Sequence, residues 1–231
     1  ELILVALLTL LVILTVGRIS KRSNVSREFI FRGLAGLNLS FVLVMVASAW
    51  MRLQLYLQAY AYTRLRTYTM LFIPWVAVLI LGTLVLHVLG KGRKTALLAF
   101  ICLIGFGLTI GVANIDKLVA EKNIERAVVT QKIDHNYLLQ LSADAVYPLW
   151  EGTSNPGLSA DDKDKLLAVL ACKKGEYESN PLEWRQTNWG KLSARDQLSM
   201  DMPGQYIPLS GTAQVLLNGK TFDCNSSTQF D

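Results

Sequence analysis

Three long stretches without a charged residue restrict this chain more than any other feature. Gly33–Met51 and Thr95–Ala113 are each 19 residues long, and Tyr68–Gly90 is 23 residues long. A helix needs about 20 apolar residues to cross the hydrocarbon core of a bilayer. A fourth charge-free stretch, Leu2–Val16, covers only about 22 Å at the helical rise of about 1.5 Å per residue. The pattern predicts an all-α integral membrane protein with four visible transmembrane helices, the first cut short, and more spans upstream of residue 1.

The distribution of charge divides the chain near residue 113. Residues 1–113 carry 11 Lys and Arg against 2 acidic residues, whereas residues 114–231 carry 12 against 16. The basic residues flank the apolar stretches, as in membrane anchors, so the net charge of +5 does not indicate a nucleic-acid-binding protein. We predict a transmembrane helical domain over 1–113 and a soluble cap over 114–231. The expected partners are the lipid bilayer and other membrane protein subunits, with no nucleic acid.

The positions of the basic residues also predict an orientation. The loops Gly17–Arg32 and Lys91–Lys94 lie on one side and hold eight Lys and Arg. The loop between the second and third spans holds three, Arg52, Arg64 and Arg66, or six when the start of the tail is counted. Because the more basic side faces the cytoplasm, the cap is expected to be periplasmic or otherwise extracytoplasmic.

The cap contains two of the three cysteines. Cys102 lies within a span and is expected to be a small buried apolar residue. Cys172 and Cys224 are either two buried thiols or a disulfide, which an exported domain permits. A disulfide closing so long a loop is worth about 4 kcal/mol in the chain-entropy model.

The cap has mainly helical patterns. The helical spacing of apolar residues predicts a helix over Ile115–Val129 and an amphipathic segment over Glu183–Met200. Asp134 is placed to cap one further helix, and Ser159-x-x-Asp162 forms a capping box before another. The dipeptide Asn218-Gly219 between two apolar runs predicts a terminal β-hairpin. A disulfide would tie this hairpin to a helix ending at Cys172.

The segment between the second and third spans is rich in tyrosine and arginine. Residues 51–66 continue the apolar helical face of the second span and are predicted to extend it. Both residue types concentrate at the membrane–water boundary, where rings and guanidinium groups reach the headgroups. The alternative is a rim that binds a lipid, a pigment or a partner. That rim would consist of Tyr60, Tyr62, Arg64, Arg66 and Tyr68. Spacing alone does not separate the two interpretations.

Chemistry-bearing motifs are scarce. His87 is the sole ionisable residue within a predicted span, and intramembrane histidines hold metals or porphyrins in some respiratory and photosynthetic assemblies. Its position three residues before Gly90 favours a structural or interfacial role. The chain has no Gly-rich phosphate loop and no nucleophile elbow. We therefore predict no catalytic residue, no metal site and no cofactor.

Four segments together resemble a bacterial multi-pass membrane family, the domain of unknown function 4153/4173. They are LYLQAYAYTRLRTY (55–68), NIDKLVAEKNIERA (114–127), IDHNYLLQLSADAVYPL (133–149) and EWRQTNWGKLSARDQL (183–198). The family pattern Y-x-x-x-Y-G-L-T-R-L-R is matched from Tyr56 to Arg66, except at Ala61-Tyr62, where a glycine is expected. Its patterns N-x-D-x-x-I-A-x-x-N-x-x-R and L-D-x-x-Y-L-x-x-L-S-x-D-A are matched at Asn114, Asp116, Ala120, Asn123, Arg126, Asp134, Tyr137, Leu138, Leu141, Ser142, Asp144 and Ala145.

The resemblance implies a bacterial cell membrane protein with further upstream spans and no established activity. Together with the predicted topology, it makes Arg64 or Arg66 a candidate to pair with Asp116, Asp134 or Asp144. The function expected from these patterns is that of a non-catalytic accessory subunit or interaction module of a larger membrane complex. The alternative is a transporter or membrane enzyme whose active part lies upstream of residue 1.

Overall fold

The computed structural model describes residues 8, 9, 11, 12, 15, 25–179, 189–199, 205–209 and 212–224. These residues form two compact units. The first unit contains the described residues up to Tyr60 together with Leu65–Ala113. The second contains the described residues from Asn114 onwards and, in addition, the four residues Ala61–Arg64. A short loop between two helices of the first unit therefore belongs to the second.

From Val25 onwards, the first unit contains the α-helices α1 (Val25–Tyr60), α2 (Arg64–Val88) and α3 (Thr95–Val112). Within the described residues, three helices are long and apolar enough to cross a membrane, namely Phe29–Tyr60, Arg64–Val88 and Thr95–Val112. The predicted spans two to four are thereby found, with α1 beginning earlier and ending later than its charge-free stretch. The first predicted span, Leu2–Val16, lies mostly outside the described residues, and four spans are not confirmed.

Helices α1 and α2 share an apolar core. Leu39, Val42 and Val46 recur every three or four residues along α1 and pack against a matching stripe on α2, formed by Ile73, Val76 and Ile80. Such spacing places successive side chains on one helical face. The Trp75 ring of α2 lies over Gly105 of α3 so closely that a Cβ on Gly105 would collide with it. The Trp75 indole also donates a hydrogen bond to Thr109 (3.2 Å).

The prediction that residues 51–66 continue the second span is wrong beyond Tyr60. Ala61 has a left-handed φ of 68°, and residues 61–63 are not helical. A single left-handed residue after the last turn is a common way for a helix to end. The apolar periodicity through Tyr60 indicated a helix, but periodicity does not report the backbone conformation of the next residue.

From Asn114 to Leu198, the described part of the second unit is mainly helical. Its helices are α4 (Ile115–Thr130), α5 (His135–Leu139), α6 (Val146–Thr153), α7 (Ala160–Ser179) and α8 (Trp189–Leu198). Asn114 and Asp134 cap α4 and α5 by accepting hydrogen bonds from Lys117 N–H and Tyr137 N–H. Ser159 does the same for α7, accepting from Asp162 N–H at 3.1 Å. The core contains the fully buried side chains Val119, Leu138, Val146, Leu149, Leu166, Val169 and Leu170.

The described part of the unit ends in a three-stranded antiparallel sheet, β1 (Gln205–Leu209), β2 (Thr212–Leu217) and β3 (Lys220–Asp223), in that order. The predicted hairpin is confirmed, because Asn218 and Gly219 turn with φ of 51° and 77°. The additional strand β1 was not predicted. It contains Pro208, which weakens a strand pattern and is tolerated at sheet edges.

The disulfide is also confirmed, since Cys172 and Cys224 are bonded to each other. The sequence suggested that the helix carrying Cys172 ends at that residue, and this is wrong. It continues to Ser179, because residues such as Lys174, Glu176 and Glu178 are good helix formers and one internal glycine is tolerated at modest cost. Of the predicted helix Glu183–Met200, the residues before Trp189 and Met200 itself lie outside the described residues.

Candidate functional site

The most connected polar site of the described chain is built around the loop Ala61–Arg64. We call it the loop clamp and define it as this loop, the side chains Asp116, Asn123, Tyr137 and Lys173, and the backbone segment Leu139–Ser142. All of its members belong to the second unit. They come from α4, α5, the turn after α5, and α7, so the site exists only once these elements have packed together.

Asn123 holds the loop by its backbone. Its side-chain carbonyl accepts a hydrogen bond from Tyr62 N–H, and its side-chain NH₂ donates one to Tyr62 carbonyl oxygen, both at 2.9 Å. The amide thereby pairs with a peptide unit as a neighbouring strand would. Because Asn123 lies on α4 with an exposed fraction of 9%, these bonds are shielded from water and fix the loop at its centre.

Arg64 holds the end of the loop. Its Nε and Nη2 donate to the two carboxylate oxygens of Asp116, each at 2.6 Å. This forked geometry is the strong form of an arginine–carboxylate pair. Nη2 also donates to the Gln140 carbonyl oxygen at 2.9 Å, and Arg64 N–H donates to the Tyr137 hydroxyl at 2.6 Å. One residue thus ties the loop to both α4 and the end of α5.

The segment Leu139–Ser142 forms the opposite side of the clamp. Lys173 donates to the carbonyl oxygens of Leu139 (3.1 Å) and Leu141 (2.6 Å). The Ser142 N–H donates to Asp116 at 2.7 Å. Together with the bond from Arg64 to Gln140, four successive residues each use one backbone group in the clamp. Backbone groups at the end of a helix have no partner within the helix, and the clamp provides partners here.

The charges of the clamp depend on burial and hydrogen bonding. Burial raises the pKa of the Asp116 carboxyl, but hydrogen bonds from Arg64 and Ser142 outweigh burial and hold that pKa below its ordinary value. Burial lowers the pKa of Lys173 to about 8, although Glu176 and Asp116 act in the opposite direction. The clamp therefore contains a buried carboxylate that pairs with Arg64 and a buried lysine that donates to backbone carbonyls.

Such an arrangement is suited to holding a loop. Oδ1 of Asp116 accepts a hydrogen bond from Arg64, and Oδ2 accepts from both Arg64 and Ser142, so neither oxygen is poised as a general base. Among the residues that the structure describes, no group of three or more His, Cys, Asp or Glu side chains could hold a metal ion. The geometry joins distant parts of the chain, and it shows no reacting group aimed at an open position.

The structure places the remaining sequence-derived site residues separately. Asp134 caps α5, and the Asp144 carboxylate lies so close to Gly190 of α8 that a side chain there would collide with it. Of the three candidate aspartates, Asp116 receives Arg64. Tyr62 and Arg64 belong to the second unit, whereas Tyr60, Arg66 and Tyr68 belong to the first.

Within the first unit, Arg66 lies over two aromatic rings. Its guanidinium carbon is 5.3 Å from the Tyr56 ring centroid and 5.9 Å from that of Tyr60, and its Nη1 donates to the Tyr60 carbonyl oxygen. The rings of Tyr56 and Tyr60 are 4.6 Å apart. His87 packs edge-on against Phe31, with ring centroids 5.7 Å apart. His87, which the sequence analysis considered as a cofactor ligand, thus has an aromatic ring as a neighbour.

Sequence reasoning missed Lys173 and gave Asn123 and Tyr137 no role beyond matching a pattern. A signal for Lys173 existed. It follows Leu166 by seven residues and Val169 by four, which places it on the same helical face as these fully buried side chains. A lysine on an apolar stripe requires acceptors when it is buried, but its position does not reveal that they are the carbonyls of residues 139 and 141.

The fold and site define a multi-pass helical membrane protein with a disulfide-bonded second unit that includes an inter-span loop. The chain belongs to the family described as Domain of unknown function (DUF4153), whose model matches residues 1–151. That range contains Arg64, Asp116, Asn123, Tyr137 and Ser142 of the clamp, whereas Lys173, the disulfide and the sheet lie after it. No curated protein and no solved structure matches the chain.

Proposed function

We propose that this protein is a non-catalytic accessory subunit, which presents its second unit as an interaction module to other proteins of a bacterial inner membrane. The observation that carries the proposal is the loop clamp. The second unit continues the chain after α3 and also incorporates the loop between α1 and α2. A soluble unit with chain connections to three candidate spans is restrained more strongly than one on a single linker, and restraint lowers the entropy lost on binding.

The proposed location of the second unit is outside the cytoplasm. Two features support it: the eight basic residues of loops 17–32 and 91–94, which favour the cytoplasm, and the disulfide between Cys172 and Cys224, a bond typical of oxidising compartments. Intact cells treated with an impermeant reductant and then an impermeant thiol reagent should be labelled at both cysteines. Labelling that requires rupture of the inner membrane would refute this location.

The interaction role is tested by comparing complexes retained in mild detergent. The tagged full chain, extracted from its native membrane, should migrate above the size of the chain alone together with a membrane partner. Asp116→Asn should release that partner while the chain stays in the membrane, because the clamp loosens. Glu125→Gln, which removes an exposed carboxylate on the same helix, should retain it. Migration of the wild type as a lone chain would contradict the proposal.

A further inference from the structure

The terminal sheet and the loop clamp share one structural element. Val215 and Leu217 of β2 are buried against Ala171 and Cys172 of α7, and Leu139 packs against the same cluster. Leu139 is the last residue of α5. The side chain of Leu139 therefore lies at the sheet, while its own carbonyl and the next three residues supply the backbone groups of the clamp.

Besides this apolar packing, the sheet is attached to α7 by polar contacts at the hairpin turn and by the disulfide. At the hairpin turn, Lys220 pairs with Asp161 at 2.8 Å and Asn218 donates to Asp164 at 3.0 Å. These contacts are exposed, and exposed pairs contribute little. At the other end, β3 is followed by Cys224 and its covalent bond to Cys172. The disulfide is thus the covalent constraint on the end of β3, and it adds to the apolar packing of β2 that holds the hairpin over Leu139.

From this arrangement we propose that the thiol–disulfide state of Cys172 and Cys224 controls how firmly the inter-span loop Ala61–Arg64 is held. Opening the disulfide frees the end of β3, lowers the packing around Leu139, and lets Leu139–Ser142 move relative to Arg64 and Asp116. The loop then opens more often, and its bonds to Asn123 and Tyr137 break more often. The inference concerns coupling inside the second unit and does not rest on the proposed accessory role.

The chemistry is exchange with a dithiol reductant. One thiolate of the dithiol attacks the Cys224 sulfur, the more accessible of the pair, since Cys172 is buried at 5% exposure. The Cys172–Cys224 bond breaks, and its electron pair leaves on the Cys172 sulfur, which takes up a proton. The second thiolate of the dithiol then displaces the Cys224 thiolate from the mixed disulfide. Two electrons and two protons pass to the protein, and the dithiol leaves as a disulfide.

Hydrogen exchange of the full chain in detergent tests the coupling. The amides of Tyr62 and Arg64 report the loop, because they donate to Asn123 and Tyr137. The amides of Gly157 and Leu158 serve as a reference, because they bond to Asn155 in a turn that lies outside the clamp and the sheet as defined above. Reduction with dithiothreitol, or the double change Cys172→Ser and Cys224→Ser, should accelerate loop exchange at least about fivefold, with the reference unchanged.

Two further variants keep the disulfide intact and test the route through Leu139. Leu139→Ala should accelerate loop exchange as reduction does, whereas Lys220→Gln, which removes the exposed contact at the hairpin turn, should leave it unchanged. Equal acceleration of loop and reference after reduction would mean general weakening of the unit and would overturn the inference. So would an unchanged loop after reduction or in Leu139→Ala. None of these results bears on whether the wild type retains a partner.

Discussion

The loop clamp of the second unit uses polar side chains differently from the helix hydroxyls of the first unit. In the first unit, the hydroxyls of Ser40, Thr69, Thr83 and Thr109 each donate to a carbonyl four residues earlier in their own helix. In the second, Asn123 bonds to Tyr62 across 61 residues of chain, and Asp116 pairs with Arg64 across 52. Helices built for lipid satisfy their polar groups locally, whereas the second unit uses polar groups to join distant segments.

The two units also differ in how much of their large apolar side chains is exposed. Large side chains such as Phe41, Phe100, Leu103 and Leu108 are mostly exposed on the first unit, as expected for helix faces whose surroundings are lipid or other spans. The second unit buries Val119, Leu138 and Leu166 completely. The fold of the first unit therefore depends mainly on the length and composition of its helices, whereas the fold of the second depends on particular long-range contacts. Four substitutions, each with a control where the chain offers one, test this difference.

The largest effect is expected when the clamp loses its carboxylate. Asp116→Asn leaves Arg64 and Ser142 without a charged acceptor in a buried position, and should lower the free energy of unfolding of the second unit by about 3 kcal/mol. Urea unfolding in detergent, followed by fluorescence, measures it. Glu125→Gln is the matched control: its bond to Lys122 is also 2.6 Å, but Glu125 is 64% exposed, so a loss of less than about 0.5 kcal/mol is expected. Equal losses would show that burial is not what gives the clamp its strength.

A smaller effect is expected from tight packing in the first unit. Gly105→Ala places a Cβ against the Trp75 ring and should destabilise the α2–α3 pair by about 1–2 kcal/mol. Gly107→Ala meets open space and should be neutral or stabilising by up to about 1 kcal/mol through helix propensity. Titration with a denaturing detergent, followed by circular dichroism, compares them. If Gly105→Ala proves as stable as Gly107→Ala, the indole contact is dispensable.

The loop itself should gain stability from a single change. Ala61 adopts a left-handed conformation that costs an alanine about 1 kcal/mol and a glycine much less. Ala61→Gly should therefore slow exchange of the Tyr62 amide by up to about fivefold, equivalent to about 1 kcal/mol. Ala59→Gly, two residues earlier within α1, should instead be destabilising by a similar amount. A glycine at 61 that accelerates exchange would contradict the backbone argument.

The smallest effect concerns pH. Burial lowers the pKa of His135 more than the nearby Asp134 and Asp161 raise it, and Lys165 lowers it further. Since the folded pKa lies below the unfolded value of about 6.5, the unfolded state binds more protons, and stability falls as pH drops from about 6.5 through the folded pKa. The loss should be well under about 1 kcal/mol because His135 is partly exposed. His135→Gln should remove this slope between pH 7 and 5; a slope that persists would assign it elsewhere.

Local features of the second unit were predictable because their partners are near in sequence. Asp134 and Ser159 cap helices three residues ahead, and Asn218-Gly219 turns a hairpin between adjacent strands. Strand β1 was not predictable in the same way, since Pro208 weakens its pattern and only its pairing with β2 makes it a strand. The end of α1 was not predicted because an alanine in the sequence does not indicate a left-handed backbone conformation.

The amino-acid sequence alone was enough to predict the three long apolar helices, the change of charge near residue 113, the capped helices of the second unit and its terminal hairpin. Each follows from residue spacing within a few turns or from segment length. Three features follow from tertiary packing alone. The loop 61–64 belongs to the second unit, and Arg64 pairs with Asp116 and not with Asp134 or Asp144. The buried Lys173 side chain donates to the carbonyls of Leu139 and Leu141. Three similar aspartates carry the same charge in the sequence, and distance and burial, which exist only after the chain has packed, distinguish them.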